Sequence, residues 1–476
     1  MISGRFASSE AVFEYFMGFV NVERGQATEF KLDRMRALAS ALGDPQLGRL
    51  TVHVAGSKGK GSVSTMIAGI LEASGLRTGL YTSPHLMHWK ERLTLTVEEM
   101  PESTILEAMD MILPLVEGKG PGDFPGGEAP TFFELTTLLS FCAFRLSGCR
   151  AQVIETGLGG RLDSTNIVDP DISVITPIEL EHTQYLGDTI ALIAGEKAGI
   201  IKPGKPVCIS AQKPEAAEVF AETASRRGCA LFAVPDCIAI EDIAVSPEGT
   251  RARLRALSGA PESTARLLRD GMDVSSPMIG KVQASNMALA VLAASTLLPS
   301  LSREALRSGL ETARQPARFE LFPGLLGLPG APGFPPVVLD GAHTPDSVQL
   351  AADSFTALFP GPKVLLFACA QDKKHAEMAA ILAPHFDATI VTKPGTFKQS
   401  EPEKAFESFR RQTPHARLVP DTGTAIREAL ALAESRGAAL LVTGSFYLCA
   451  EARPSLEARS SCPGATTRTA GSGSRR

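Results

Sequence analysis

The stretch from Leu50 to Ser74 constrains the fold of this chain more than any other. Leu50–Ala55 is a short, almost wholly apolar run and reads as a buried strand. Seven residues follow, Gly56-Ser57-Lys58-Gly59-Lys60-Gly61-Ser62, with three glycines and two lysines among them. Val63–Ser74 then carries helical apolar spacing. A strand that passes into a helix through a glycine turn is the opening half of a βαβ unit, so a parallel sheet is expected. At such a turn the backbone N–H groups and the helix dipole can cradle phosphates, and Lys60 can reach the terminal ones. The heptad is not a strict Walker sequence. That pattern needs Gly at position 54, where this chain has Val, and Ser or Thr after the lysine, where it has Gly61. Taken alone, the heptad also reads as a flexible glycine-rich turn.

The alternation continues. Thr78–Thr82 reads as a strand, Thr131–Leu146 as a helix, and Val153–Glu155 and Ile172–Thr176 as strands. Asp188–Ala198 reads as a helix and Val207–Ser210 as a strand. This order predicts an α/β fold whose N-terminal domain is a P-loop-type, doubly wound and mostly parallel sheet. Gly118–Pro130 reads as a surface loop. Residues 238–272 read as an excursion of strands, and Lys281–Leu297 and Arg303–Thr312 as helices. A second series, Val337–Asp340, Val364–Ala368, Thr389–Thr392 and Ala439–Thr443, predicts a smaller C-terminal Rossmann-like α/β domain. Nine of the fourteen residues of Pro323–Pro336 are Gly or Pro, which predicts a long hairpin or loop. The expected division is 1–313, 314–452 and a disordered tail, 453–476, rich in Ser, Thr, Gly and Arg.

Composition removes several function classes. A net charge of -5 lacks the basic excess of a nucleic-acid binder. No apolar run approaches the roughly 18–20 residues of a membrane helix. The N-terminus lacks the basic segment and apolar run of a signal peptide. A cytoplasmic monomer with no nucleic-acid or membrane partner is therefore expected. The eight cysteines form no C-x-x-C pair, and Cys142, Cys208 and Cys369 sit in apolar runs, so buried reduced thiols are expected.

Several polar segments fall at or just past predicted strand ends, where open α/β sheets bind ligands. They are Tyr81-Thr82-Ser83-Pro84-His85-Leu86, Glu155–Asp163 and Glu181-His182-Thr183. Thr131-Phe132-Phe133-Glu134 opens a helix, and Gly195–Ile200 closes one. Each has a plain account by itself: a turn at Ser83, a surface ion pair at Glu155, a packed imidazole at His182.

Together these segments resemble the Mur-ligase-type ATP-dependent ligases, most closely folylpolyglutamate synthase/dihydrofolate synthase. The resemblance runs from about residue 50 to 450 and includes Tyr185–Thr189, Glu196–Gly204, Arg318-Phe319-Glu320, Leu339–His343 and Val442–Ser445. It implies an N-terminal ATP-binding domain and a C-terminal glutamate ligase domain. It implies ATP and Mg2+ as cofactors, and L-glutamate with a folate or dihydropteroate as substrates. The loop Gly56, Ser57, Lys58, Gly59, Lys60, Gly61 and Ser62 would hold the ATP phosphates. Ser83, Glu155 and His182 match the magnesium positions. Lys197 matches a lysine that the family carries as a carbamate. Asn286, Arg318 and Asp340 match nucleotide contacts, and Thr131, Phe132, Phe133 and Glu134 a pterin-contacting segment. Lys60, Lys197 and His343 are the candidate catalytic residues. His343 would either orient an intermediate or cap the Asp340 turn.

Some positions depart from the family pattern. Lys58 stands in place of Asn, Ser57 of Thr, Glu181 of Asp and Thr344 of Asn, and Thr28-Glu29-Phe30 differs from the usual pterin-contacting sequence. Two other readings stay open on the residues alone: a Mur-type ligase of cell-wall precursors, and a nucleotide-binding regulator without ligase activity.

Overall fold

Strand β1, Leu50–Ala55, is apolar at almost every position because both its faces are covered; five of its six residues are buried. It lies in an eight-stranded sheet with β2 (Thr78–Tyr81), β3 (Leu93–Leu95), β4 (Glu98–Glu99), β5 (Ala151–Glu155), β6 (Ile172–Ile175), β7 (Val207–Ile209) and β8 (Leu231–Ala233). The order is β4-β3-β2-β5-β1-β6-β7-β8. All pairings from β2 to β8 are parallel, and β3 and β4 add an antiparallel edge. The chain leaves β1 toward β2, on the β5 side, and later crosses from β5 to β6 on the other side of β1. The carboxyl ends of β5, β1 and β6 therefore form the switch point of the sheet, where ligands bind in open α/β folds.

Alternation along β5 fills two cores. Val153 packs with Val63 and Ile67 of the helix Lys60–Ala73 and with the helix Val282–Leu297. Ile154 packs on the opposite face with Phe132, Leu135 and Leu139 of the helix Phe132–Leu146. Strands β9 (Ile238–Ser246), β10 (Gly249–Ala256) and β11 (Met272–Ser276) form an antiparallel three-stranded sheet, the expected excursion.

The computed structural model describes residues 5–21, 32–96, 98–322, 335–395 and 399–460. Thr28-Glu29-Phe30 and nearly all of Pro323–Pro336 lie outside them. The chain divides into two units, Met1–Gln315 and Pro316–Arg476. The second unit is α/β as well. Its six-stranded sheet has the order β12-β13-β17-β14-β15-β16, from β12 (Glu320–Phe322), β13 (Val337–Asp340), β14 (Lys363–Phe367), β15 (Ala388–Val391), β16 (Ala416–Leu418) and β17 (Ala439–Thr443). Only the β12 edge is antiparallel.

The expected disordered tail from Arg453 is corrected. A helix runs from Phe446 to Ser460, and Arg453 pairs with Glu320 and Glu457. Leu448, Ala452 and Leu456, spaced by four, give it a buried face that the polar composition of the whole tail conceals. The expected tail beyond Ser460 lies outside the described residues. Cys142, Cys208 and Cys369 are buried, and the seven cysteines described are unbridged. No helix among the described residues is long and apolar enough to cross a membrane.

Candidate active site

The helix after β1 begins at Lys60, three residues before the apolar spacing starts. Gly59 is its N-cap at φ 83°, a conformation costly for any residue with a Cβ, and no side chain caps the helix. The first-turn N–H groups are thus left to other partners. Two carboxamides close on the loop. A Cβ at Gly59 would lie 2.8 Å from Asn286 Oδ1, and one at Gly61 would lie 2.0 Å from Gln315 Nε2. Asn286 donates to Gln283 at 2.9 Å, and Ser62 Oγ donates to Gln315 Oε1 at 3.1 Å. Beyond β6, Pro177 accepts the Ser57 N–H at 2.9 Å and Glu179 accepts its hydroxyl at 3.2 Å.

The loop is ringed by charge. Lys197 is buried and its Nζ donates to Gly56 O at 2.7 Å and to Glu181 at 3.3 Å. Lys58 approaches the same carboxylate at 3.9 Å. Burial pushes the Glu181 carboxyl up, but Lys60, Lys197, Lys58 and His182 outweigh it and hold it at about 2. Burial pushes the Lys197 ammonium down to about 8 against the attraction of Glu181. Glu181 is the functional residue that sequence reasoning missed: it stood only within the Glu181-His182-Thr183 segment and as a departure from Asp, although an acid near a glycine loop that carries Lys58 and Lys60 is a charge-balance signal.

Of the expected magnesium positions, Ser83 and Glu155 are brought together. Glu155 ends β5 opposite Val54 of β1, is buried, and accepts the Ser83 N–H at 3.3 Å. His182 is exposed at φ 49°, heading the four-residue helix Thr183–Leu186. Among the described residues no three His, Cys, Asp or Glu side chains gather as a metal cluster. One carboxylate and one hydroxyl are hard oxygen donors that suit Mg2+, which commonly takes few protein ligands and completes its shell with phosphates and water. The buried hydroxyls of Thr156 and Thr176, just past β5 and β6, have no hydrogen-bond partner, so the switch point holds polar atoms that packing leaves unsatisfied. The residues present fit the ion.

The segment Thr131–Glu134 has largely structural work. Thr131 Oγ1 accepts the Glu134 N–H at 3.2 Å while Glu134 accepts the Thr131 N–H at 2.7 Å, a reciprocal helix cap. Both Glu134 oxygens also receive Arg34, at 3.0 and 2.9 Å, in a buried pair. Phe132 is buried, whereas Phe133 is half-buried and lies against the Gly157 backbone.

In the second unit, Arg318 sits over the Phe446 ring at 4.4 Å. Ala317 and Phe319, on either side of it, have φ of 51° and 49°. Left-handed backbone at two non-glycine residues costs roughly 1 kcal/mol or more each. Three hydrogen bonds hold it: Ala317 N–H to Glu320 at 2.9 Å, Phe319 N–H to Asp340 at 2.8 Å, and Gly341 N–H to Ala317 O at 2.9 Å. Asp340 also accepts the Ala342 N–H at 2.8 Å. His343 Nδ1 meets Gly341 O at 2.8 Å. A carbonyl can only accept, so Nδ1 carries the proton and the ring braces the Asp340 turn.

Residues 54–294 match the Mur ligase middle domain, and residues 328–446 match the glutamate ligase domain of Mur ligases. The folylpolyglutamate synthase of Lacticaseibacillus casei is 32% identical over 432 residues, 89% of this chain and 94% of that protein. A probable bifunctional folylpolyglutamate synthase/dihydropteroate synthase of Haloferax volcanii is 35% identical over 426 residues, 88% of this chain. The chain spans about half of that relative, 48%. The solved structure of E. coli FolC in complex with DHPP and ADP superposes with a TM-score of 0.76 at 26% identity, covering 96% of this chain and 99% of that one. This chain belongs to the Mur ligase family, in its folylpolyglutamate synthase/dihydrofolate synthase branch.

Proposed function

We propose that this chain joins L-glutamate to a folate-type carboxylate at the expense of ATP, the acceptor being dihydropteroate, a reduced folate polyglutamate, or both. The observation that carries the reading is the glycine loop at the sheet's switch point, with an uncapped helix start, three lysines around it, and Glu155 at the neighbouring strand end. The lysines bring positive charge to a site of N–H donors, which suits a polyphosphate.

A carboxylate is a poor electrophile. The acceptor's carboxylate oxygen attacks the terminal phosphoryl group, the bond to the ADP oxygen breaks, and an acyl phosphate forms. The amine of glutamate then attacks the acyl carbon. The tetrahedral adduct loses a proton and expels phosphate, leaving an amide. Lys60, at the first position of the helix, is assigned the moving phosphoryl charge. Glu155 and Ser83 are assigned to magnesium, with His182 as an outer member. Bound Mg2+ supplies charge neutralisation at the phosphoryl oxygens. Lys197 and Glu181 fix the Gly56 carbonyl and so the loop's entry. Asn286 packs on Gly59, and Arg318 and Asp340 form the candidate nucleotide contacts of the second unit. Phe133 is the acceptor contact best supported within its segment, being half-buried where its neighbours are enclosed.

The test is ADP release with ATP, Mg2+ and L-glutamate, and with dihydropteroate, tetrahydrofolate or a muramyl precursor as acceptor. Release that needs glutamate and either pterin acid is expected. Release only with the muramyl precursor, or nucleotide binding with no release, overturns the reading.

A further inference from the structure

Gln315 is the last residue of the first unit and follows the helix Arg303–Thr312 by three positions. The chain there returns to the phosphate loop, 253 residues away in sequence from Ser62. Gln315 does two things to the loop. Its Nε2 occupies the space a Gly61 side chain would need, with a Cβ there falling 2.0 Å away. Its Oε1 accepts the Ser62 hydroxyl proton at 3.1 Å. A serine hydroxyl has one proton and two lone pairs. With the proton given to Gln315, only lone pairs remain for any other partner. Such an oxygen can serve a cation but cannot donate to a phosphate oxygen.

We propose that Gln315 is a positioning residue for nucleotide binding, fixing the Ser62 hydroxyl as an acceptor so that it serves the magnesium complex of ATP and not the metal-free nucleotide. The proposal rests on the phosphate-loop reading above. Gln315 need not touch the substrate; it acts by setting which way one hydroxyl points. A residue that merely filled the groove beside Gly61 would influence both forms of the nucleotide alike.

Calorimetric titration of the full chain with a nonhydrolysable ATP analogue, with and without Mg2+, separates these cases. Gln315→Met fills similar space without the carbonyl. It should weaken the magnesium complex by about three- to tenfold, the worth of one net hydrogen bond, and change the metal-free analogue by less than about twofold. Gln315→Glu keeps an acceptor for the hydroxyl and should bind the magnesium complex more tightly than Gln315→Met. In a Ser62→Ala background Gln315→Met should add no further loss, because the hydrogen bond is already gone. Equal losses with and without Mg2+, an added loss in the Ser62→Ala background, or no loss at all overturns the proposal. Failure of the unaltered protein to bind the analogue overturns the phosphate-loop reading itself, and that is seen before any variant is made.

Discussion

Lys197 Nζ lies 3.3 Å from the Glu181 carboxylate, and the same ammonium donates to Gly56 O at 2.7 Å. One buried cation thus ties an acid beyond β6 to the first residue of the phosphate loop. The arrangement suits an ammonium, which donates to both oxygens; a carbamate at the same nitrogen would keep one N–H for Gly56 O and set a second anion beside the Glu181 carboxylate.

Glu181→Gln tests the charge balance. The folded carboxyl titrates at about 2 against an unfolded value of 4.5, so its stabilisation is complete above pH 4.5 and is lost as pH falls toward 2. The variant should be less stable near pH 7 by on the order of 2 kcal/mol, since Lys197 loses its partner in a buried site. The gap from wild type should close between pH 4.5 and 2. Urea melts across that range decide, and a gap independent of pH refutes the ion-pair account.

Lys60→Ala should lower ADP formation by at least about a hundredfold while changing stability by less than roughly 0.5 kcal/mol. Lys60 stands at the uncapped helix start and is only half-buried, so its removal leaves no cavity. Turnover within a few-fold of wild type would move the phosphoryl contact elsewhere.

Glu155→Gln preserves the acceptor for the Ser83 N–H, so its local structure should survive. The charge that suits a hard cation is lost. The Mg2+ concentration for half-maximal rate should rise by roughly tenfold or more. An unchanged magnesium titration would make Glu155 a structural residue of the switch point.

Arg318→Ala should weaken ATP binding by about tenfold, the scale of a charge-assisted contact, and Arg318→Lys should restore little of it. The reason lies in the backbone. Two left-handed residues hold the arginine over Phe446, and strain of that kind at non-glycine residues persists where function needs it. Glu320 pairs with Arg453 and accepts the Ala317 N–H, which ties it to the turn beside Arg318. Calorimetry showing unchanged affinity would leave the strain without a function.

Much of this was legible in the sequence where local pattern and global fold agree. Arg303–Thr312, Val337–Asp340 and Ala439–Thr443 have their predicted ends, because amphipathic spacing or enclosed apolar runs mark them alone. The helices Glu102–Val116 and Pro214–Arg226 are not among the expected elements, although each is amphipathic; a proline lies within the first and at the first position of the second. The site was legible as segments and not as partners. Gln315 and Arg34 meet Ser62 and Glu134 across 253 and 100 residues, and nothing local to either sequence announces such a contact.

Glu134 shows what that costs in reading function. Its place in a pterin-contacting segment suggests a substrate ligand, yet its carboxylate receives Arg34 twice and the Thr131 N–H, all buried. A carboxylate with those partners has little left for a pterin ring. Removing the charge leaves buried Arg34 with only the longer contact to Glu128, at 3.6 Å, and losing its bidentate partner costs up to about 3–5 kcal/mol. Glu134→Gln should therefore lower the melting temperature sharply, and the enzyme that remains folded should keep its acceptor KM. Phe133→Ala should do the reverse, raising the acceptor KM with a smaller loss of stability, since its ring is half-buried against Gly157. The double replacement Arg34→Met with Glu134→Leu separates charge from packing. Removing both ions together should recover part of the stability that either single change loses. If Glu134→Gln melts like wild type and instead raises the acceptor KM, the carboxylate faces substrate and the buried pair is not what holds this helix start.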